Sequence, residues 1–175
     1  MNNVERNTTL CFLLTLVTLG VRKYFSVPQG YVCLITALGK YLRTAGPGLG
    51  SCLSFWGLYE RPSAPVPVKE QVKDYPREDV FTRDGVRCTI DTVVYFKITD
   101  PVKASFDIDN YETAILQLVR ATLRNECGDF PAMELLAGRR KLIDKLRSTL
   151  ETETRPWGIT VRLVEITEII LHDRQ

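Results

Sequence analysis

Histidine is nearly missing from this chain: His172 is the only one in 175 residues. The five cysteines, Cys11, Cys33, Cys52, Cys88 and Cys127, stand singly, with no CxxC pair. A zinc site needs about four nitrogen or sulfur ligands gathered in space, and this spacing offers none, so no metal is expected. An odd number of cysteines without local pairs fits free thiols in a reducing compartment, not a disulfide framework. An excess of one charge is also lacking. The 23 basic and 21 acidic residues leave +2, and no basic stripe with interleaved aromatics occurs, which argues against nucleic acid as a partner. The glycine-rich run AGPGLGSC, residues 45–52, is followed by no lysine. It therefore does not make a phosphate-cradling loop, and no cofactor is expected.

What is present is a composition with a real core: 45% hydrophobic and 25% charged residues, against disorder and with room for one ordinary domain plus an appendage. The longest uncharged apolar stretch is TTLCFLLTLVTLGV, residues 8–21. As a helix it would reach about 21 Å, short of a hydrocarbon core of about 30 Å. A secretory signal is disfavoured because MNNVER carries no net side-chain charge and the stretch runs into Arg22-Lys23 without a small-x-small cleavage site. A buried helix of a soluble protein is disfavoured because apolar residues surround the helix instead of forming one stripe.

A membrane anchor remains, over residues 1–26. It is either a shallow insertion or a single span that borrows Tyr24, Phe25 and Val27. Leu10, Phe12, Leu13, Leu14, Leu16, Val17 and Leu19 are the inserting residues, and Arg22 and Lys23 mark the headgroup boundary. Arg22-Lys23 outweighs Arg6, which Glu5 offsets, so the positive-inside rule leaves the rest of the chain on the cytoplasmic side. Cys11 and Cys33 are candidates for acylation, against the simpler reading of apolar packing.

Beyond Pro28-Gln29-Gly30, YVCLITALGKYL reads as a strand with a turn at Gly39-Lys40. The dense glycines of residues 45–52 force turns and a close backbone approach. LSFWGL, residues 53–58, is apolar, with Trp56 either in the core or at a bilayer interface. Prolines 62, 65, 67 and 76 make the next segment an edge strand or extended connector. Asp84-Gly85 predicts a type I′ two-residue turn, and residues 86–98 alternate as a strand of an antiparallel sheet with one apolar face. Asp109, with Glu112 three residues on, predicts a capping box. The helix behind it presents Tyr111, Ala114, Ile115, Leu118, Thr122 and Leu123 inward and stops at Gly128. A second helix over 131–155 buries Leu135, Leu142, Leu146 and Leu150. Its charged faces, with Arg139, Arg140, Lys145, Glu151 and Glu153, are candidates for subunit contacts or a plain solvated surface. Trp157-Gly158 turns the chain into a last strand with a bulge near Glu165. Strands, two helices, then a strand: an α+β fold.

Catalysis finds no footing in these residues. The pairs Asp107 with Asp109 and Glu151 with Glu153 are two residues apart and do not face each other on a helix. A dyad of a cysteine with His172 has no third group to orient it.

The segments VPQGYVCLITALGKYLRTAGPGL, VFTRDGVRCTIDTVVYFKITDP, ATLRNECG and LLAGRRKLIDKLRSTLETETRPWGITVRLVEITEIIL together resemble the SPFH (band 7) family of stomatins, prohibitins and flotillins. Stomatin-like members are the most similar, since a short hydrophobic segment precedes the domain. The resemblance implies an SPFH domain over 27–175 with an antiparallel sheet and two long helices. It implies no active site and a membrane-associated scaffold that forms homo-oligomers on membrane lipids. A regulatory adaptor for a client membrane channel or protease, with little self-assembly, is the alternative. The proline-bearing hydrophobic hairpin of stomatins and the alanine- and glutamate-rich helix that follows the domain in the family are both expected to be missing.

Overall fold

The computed structural model describes residues 22–55 and 58–172. The chain divides into two compact units, residues 1–67 and 68–175. The inserting residues Leu10 to Leu19, Cys11 and Trp56 lie outside the described residues.

The first unit is a sheet in the order β1-β4-β5-β2-β3, with β6 on β2. Its strands are β1 (Arg22–Val27), β2 (Tyr31–Ala37), β3 (Lys40–Ala45), β4 (Gly48–Phe55), β5 (Leu58–Pro62) and β6 (Val66–Pro67). Tyr24, Phe25 and Val27 are strand residues here, which corrects the reading of them as an extension of a helical span. Gly30, at φ +81°, turns β1 into β2. The β2–β3 hairpin closes on Leu38 and Gly39, both at positive φ, with Ala37 opposite Lys40. That is the backbone of a type I′ turn, one residue earlier than the expected Gly39-Lys40. The close approach expected of the glycine run is real at Gly50: a Cβ there would lie 2.4 Å from the Phe25 ring. Val27, Cys33, Leu34, Ile35 and Cys52 are buried and form the core.

The second unit is a three-stranded antiparallel sheet, β7-β8-β9, of β7 (Glu70–Phe81), β8 (Arg87–Ile98) and β9 (Ile159–Leu171). The helices between β8 and β9 are α1 (Pro101–Phe106), α2 (Tyr111–Asp129), α3 (Ala132–Ala137) and α4 (Arg139–Thr154). β8 alternates as expected, burying Cys88, Ile90, Thr92, Val94, Phe96 and Ile98. Ile115, Val119 and Leu123 of α2 are buried with Leu142, Leu146 and Leu150 of α4, and α2 lies against β7 while α4 lies against β9. Pro76 sits on the edge strand β7 inside a register shift between Tyr75 and Glu78, where a missing donor costs no ladder bond.

Four local expectations change. Asp84 does not take positive φ; only Gly85 does, at +74°. The Gly85 amide donates to the Thr82 carbonyl and the Thr82 amide to the Val86 carbonyl, so the loop is longer than two residues. Asp84 instead accepts the Ala132 amide at 3.2 Å. The cap of α2 is Asn110, whose side chain accepts from Thr113, one residue past Asp109. The second long helix breaks at Gly138, where a Cβ would sit 2.8 Å from the Glu134 carbonyl oxygen. Finally, β9 slips register twice, once around Arg162 and once around Thr167, bracketing Glu165 instead of falling on it. The α+β class stands.

Candidate functional site

Among the described residues, Cys33, Cys52, Cys88 and Cys127 are all buried free thiols. Cys88 and Cys127 are both fully buried, so this core pair behaves as packing; their mutual hydrogen bond pushes the Cys127 thiol up and the Cys88 thiol down. His172 is hydrogen-bonded to Thr89 at 2.9 Å, not to a cysteine. Burial, helped by Glu112, raises the Tyr75 phenol as well. Among the described residues, no group of three or more His, Cys, Asp or Glu could hold a metal. The geometry offers surfaces instead.

The first surface is the outer face of β1 and β4. Paired residues of an antiparallel ladder share a face. The register Tyr24↔Ser51, Ser26↔Leu49 and Arg22↔Leu53 therefore sets Tyr24, Leu49 and Leu53 on one side, with buried Val27 and Cys52 on the other. Tyr24 is 57% exposed, Leu49 79% and Leu53 39%. Arg22 and Lys23, assigned to the headgroup boundary, are the first two residues of β1. β3 is exposed from Lys40 to Thr44. Arg43 crosses to the Glu60 carboxylate at 3.0 Å and to the Ser51 carbonyl at 2.8 Å, and the Leu53 amide donates to the same carboxylate. This ties the backbone beneath the apolar face.

Cys33 is 2% exposed, and its thiol donates to the Ser63 carbonyl at 3.0 Å. This burial fits the packing reading.

The second surface is the flank of α4. Arg139, Arg140, Lys145, Glu151 and Glu153 are all exposed. Lys145 is engaged within the chain, paired with Glu126, which raises its pKa. Arg139 reaches the Thr167 carbonyl at 3.5 Å. At the break between α3 and α4, Ala137, Arg139, Arg140 and Ile143, together with Glu165, Ile166 and Thr167 at the edge strand β9, line a groove of about 710 Å³. Neither the groove nor the β1–β4 face is legible from composition. Both need strand register, and the lone leucine inside GPGLG is the only hint the sequence carries of the latter.

Among the described residues, no helix is long and apolar enough to cross a membrane.

Residues 25–174 match the family model described as SPFH domain / Band 7 family. An uncharacterised protein of Mycobacterium tuberculosis is 34% identical over 164 residues, covering 91% of this chain and 42% of the relative. Stomatin homologues of Pyrococcus horikoshii and Pyrococcus abyssi are each 36% identical over 138 residues, covering 79% of this chain and 50% of theirs. The chain thus spans about half or less of the length of these relatives. Matched along most of its own length, it belongs to the SPFH (band 7) family.

Proposed function

We propose that this chain is part of a membrane-associated scaffold of stomatin type, which self-associates at the membrane surface and organises lipids or regulates client membrane proteins. One observation carries the reading: the exposed Tyr24–Leu49–Leu53 face is built on β4 and on β1, and β1 directly follows the apolar stretch 8–21 in sequence. A short apolar insertion holds a bilayer marginally, and stable attachment takes two signals. Leu10, Phe12, Leu13, Leu14, Leu16, Val17 and Leu19 supply the first, with Arg22 and Lys23 at the headgroups and the remainder on the cytoplasmic side. The β1–β4 face supplies the second, and an acyl chain on Cys11 would add to either. Copies held side by side multiply these weak grips through effective concentration. The stomatin names of two relatives support the same reading.

The adaptor alternative, a regulatory subunit that docks a membrane channel or protease with little self-assembly, is favoured by the groove at Gly138, which is open, part apolar and basic.

Flotation of the full chain with neutral phosphatidylcholine vesicles tests the proposal. Wild type is expected to rise with the vesicles. Leu49→Ser should reduce binding about tenfold, the effect of losing one buried leucine, and Leu13→Glu with Leu16→Glu should reduce it further. Wild type left in the dense fraction as single copies would overturn the scaffold. A bound single copy that co-purifies with one client would favour the adaptor.

A further inference from the structure

The sheet of the second unit carries helices on one face only. Strand alternation turns Ile90, Val94 and Phe96 of β8 toward α2 and α4. The opposite face carries no helix of this unit. Its register sets Val72, Tyr95 and Leu163 in one row across the three strands, and Asp74, Val93 and Glu165 in the next. Val72 is 55% exposed and Leu163 40%. Arg77 on this face meets Glu168 at 3.0 Å and Asp91 at 3.8 Å, and Arg87 meets Asp79. Asp74 and Glu165, by contrast, form no ion pair among the described residues, although Glu165, at the sheet edge, also borders the groove that Arg139 and Arg140 of its own chain line. An apolar row beside two unpaired carboxylates calls for a basic, part-apolar cover.

The same chain carries such a surface. Between Arg139 and Arg147, α4 has five basic residues and one acid, Asp144, and among the described residues only Lys145 is held in an ion pair. Arg140 and Arg147 are two helical turns apart, about 10 Å along the axis, with half-buried Ile143 between them. Asp74 and Glu165 are separated by two strand spacings, also about 10 Å. We propose that the helix-free sheet face of one copy is covered by α4 of a second copy. Arg140 and Arg147 then meet Asp74 and Glu165, and Ile143 rests on the Val72–Tyr95–Leu163 row. Two helix-free faces packed together would crowd four carboxylates, which disfavours a two-fold arrangement. Because α4 lies on the helical side of the sheet and the acidic row on the other, the contact is head-to-tail and continues from copy to copy, as a ring if it closes. This inference rests on the self-association proposed above and names its interface.

The test uses the full chain on neutral phosphatidylcholine vesicles, so that charge changes leave lipid binding alone, with particle mass measured after mild detergent extraction. Asp74→Lys with Glu165→Lys, and separately Arg140→Glu with Arg147→Glu, should each lower the assembled fraction more than about tenfold, since both place like charges in contact. An equimolar mixture of the two variants should restore assembly in alternating order, a recovery that misfolded chains could not give. In a Cys11→Ser background, cysteines placed at Leu163 in one variant and at Arg140 in another should cross-link on oxidation only when the two are mixed. Assembled wild type indifferent to both reversals, or a mixture that fails to recover, overturns this interface alone. Wild type present only as single copies overturns the scaffold and the interface with it.

Discussion

Gly158 gives the sharpest test of how the second unit is held together. It follows the short 3-10 turn Arg155–Trp157 and takes φ +70°. Its carbonyl accepts three hydrogen bonds, from the Thr99 amide at 2.9 Å, the Asp100 amide at 3.0 Å and the Thr99 hydroxyl at 2.9 Å. A Cβ there would lie 2.6 Å from the Asp100 Cβ and 2.7 Å from its carbonyl oxygen. Asp100 is itself the cap of α1, accepting the Val102 and Lys103 amides, so it has little freedom to retreat. For Gly158→Ala, the left-handed conformation costs about 1–2 kcal/mol. Loosening the three hydrogen bonds costs about 1–3 kcal/mol more, and the stiffer unfolded chain offsets roughly 0.5–1 kcal/mol. The net loss is about 1–4.5 kcal/mol, a fall in melting temperature of about 4–18 °C for a unit of this size. Gly128→Ala is the control. Its site lies inside α2 with nothing within 4 Å, and the change should stabilise by about 0.5–1 kcal/mol. Thermal melts of the full chain followed by circular dichroism measure both. If Gly158→Ala melts with wild type, or if Gly128→Ala is the more damaging of the two, the reasoning fails.

Two further changes probe polar groups of the same sheet. Thr92 is 2% exposed in the middle of β8, and its hydroxyl has no hydrogen-bond partner among the described residues. Thr92→Val should raise stability by about 1 kcal/mol in urea titrations, and a loss instead would mean that the hydroxyl is bonded. Asp79 is held below the ordinary carboxylate range, first by the Thr89 hydroxyl and then by the Arg87 guanidinium. A carboxyl depressed in the folded state contributes stability above its unfolded value, near 3.8, and loses that contribution as pH falls through the lower folded value. The gap in melting temperature between pH 7 and pH 3 should therefore narrow in Asp79→Asn, and an unchanged gap would refute the assignment.

Periodicity was enough to read the long elements. The alternation along β8 and the four leucines Leu135, Leu142, Leu146 and Leu150 are buried as their spacing requires, because one-sided burial is what those periods encode. Junctions were less legible, for reasons that lie in the chemistry. Asp109 and Asn110 are both good capping residues, and only the entry angle of the backbone selects the second. Asp84-Gly85 carries the composition of a type I′ turn, yet Asp84 is held by the Ala132 amide, a contact 48 residues distant in sequence. Leu38-Gly39 takes the I′ conformation although leucine is disfavoured there. A helical glycine costs about 1 kcal/mol whether or not the helix breaks, so the interruption at Gly138 has no unique signature.

The distribution of apolar residues separates what folding demands from what it does not. In the second unit the large apolar side chains Phe96, Ile115, Leu123, Leu142, Leu146 and Leu150 are fully buried, while Val72, Phe81, Phe106, Met133 and Leu163 are exposed. In the first unit Leu34 and Ile35 are comparably buried, while Tyr24, Leu38, Tyr41, Leu42, Leu49 and Leu53 remain exposed. Scattered exposed leucines are ordinary on any protein surface. A leucine on each side of a tyrosine, on one face of two paired strands, is not scattered, and serine would fill those outward positions without weakening the ladder. The β1–β4 face therefore contributes little to holding its own sheet together. Its apolar character has a physical consequence only where something other than water lies against it, and β1, which contributes Tyr24, follows the most apolar stretch of the chain in sequence.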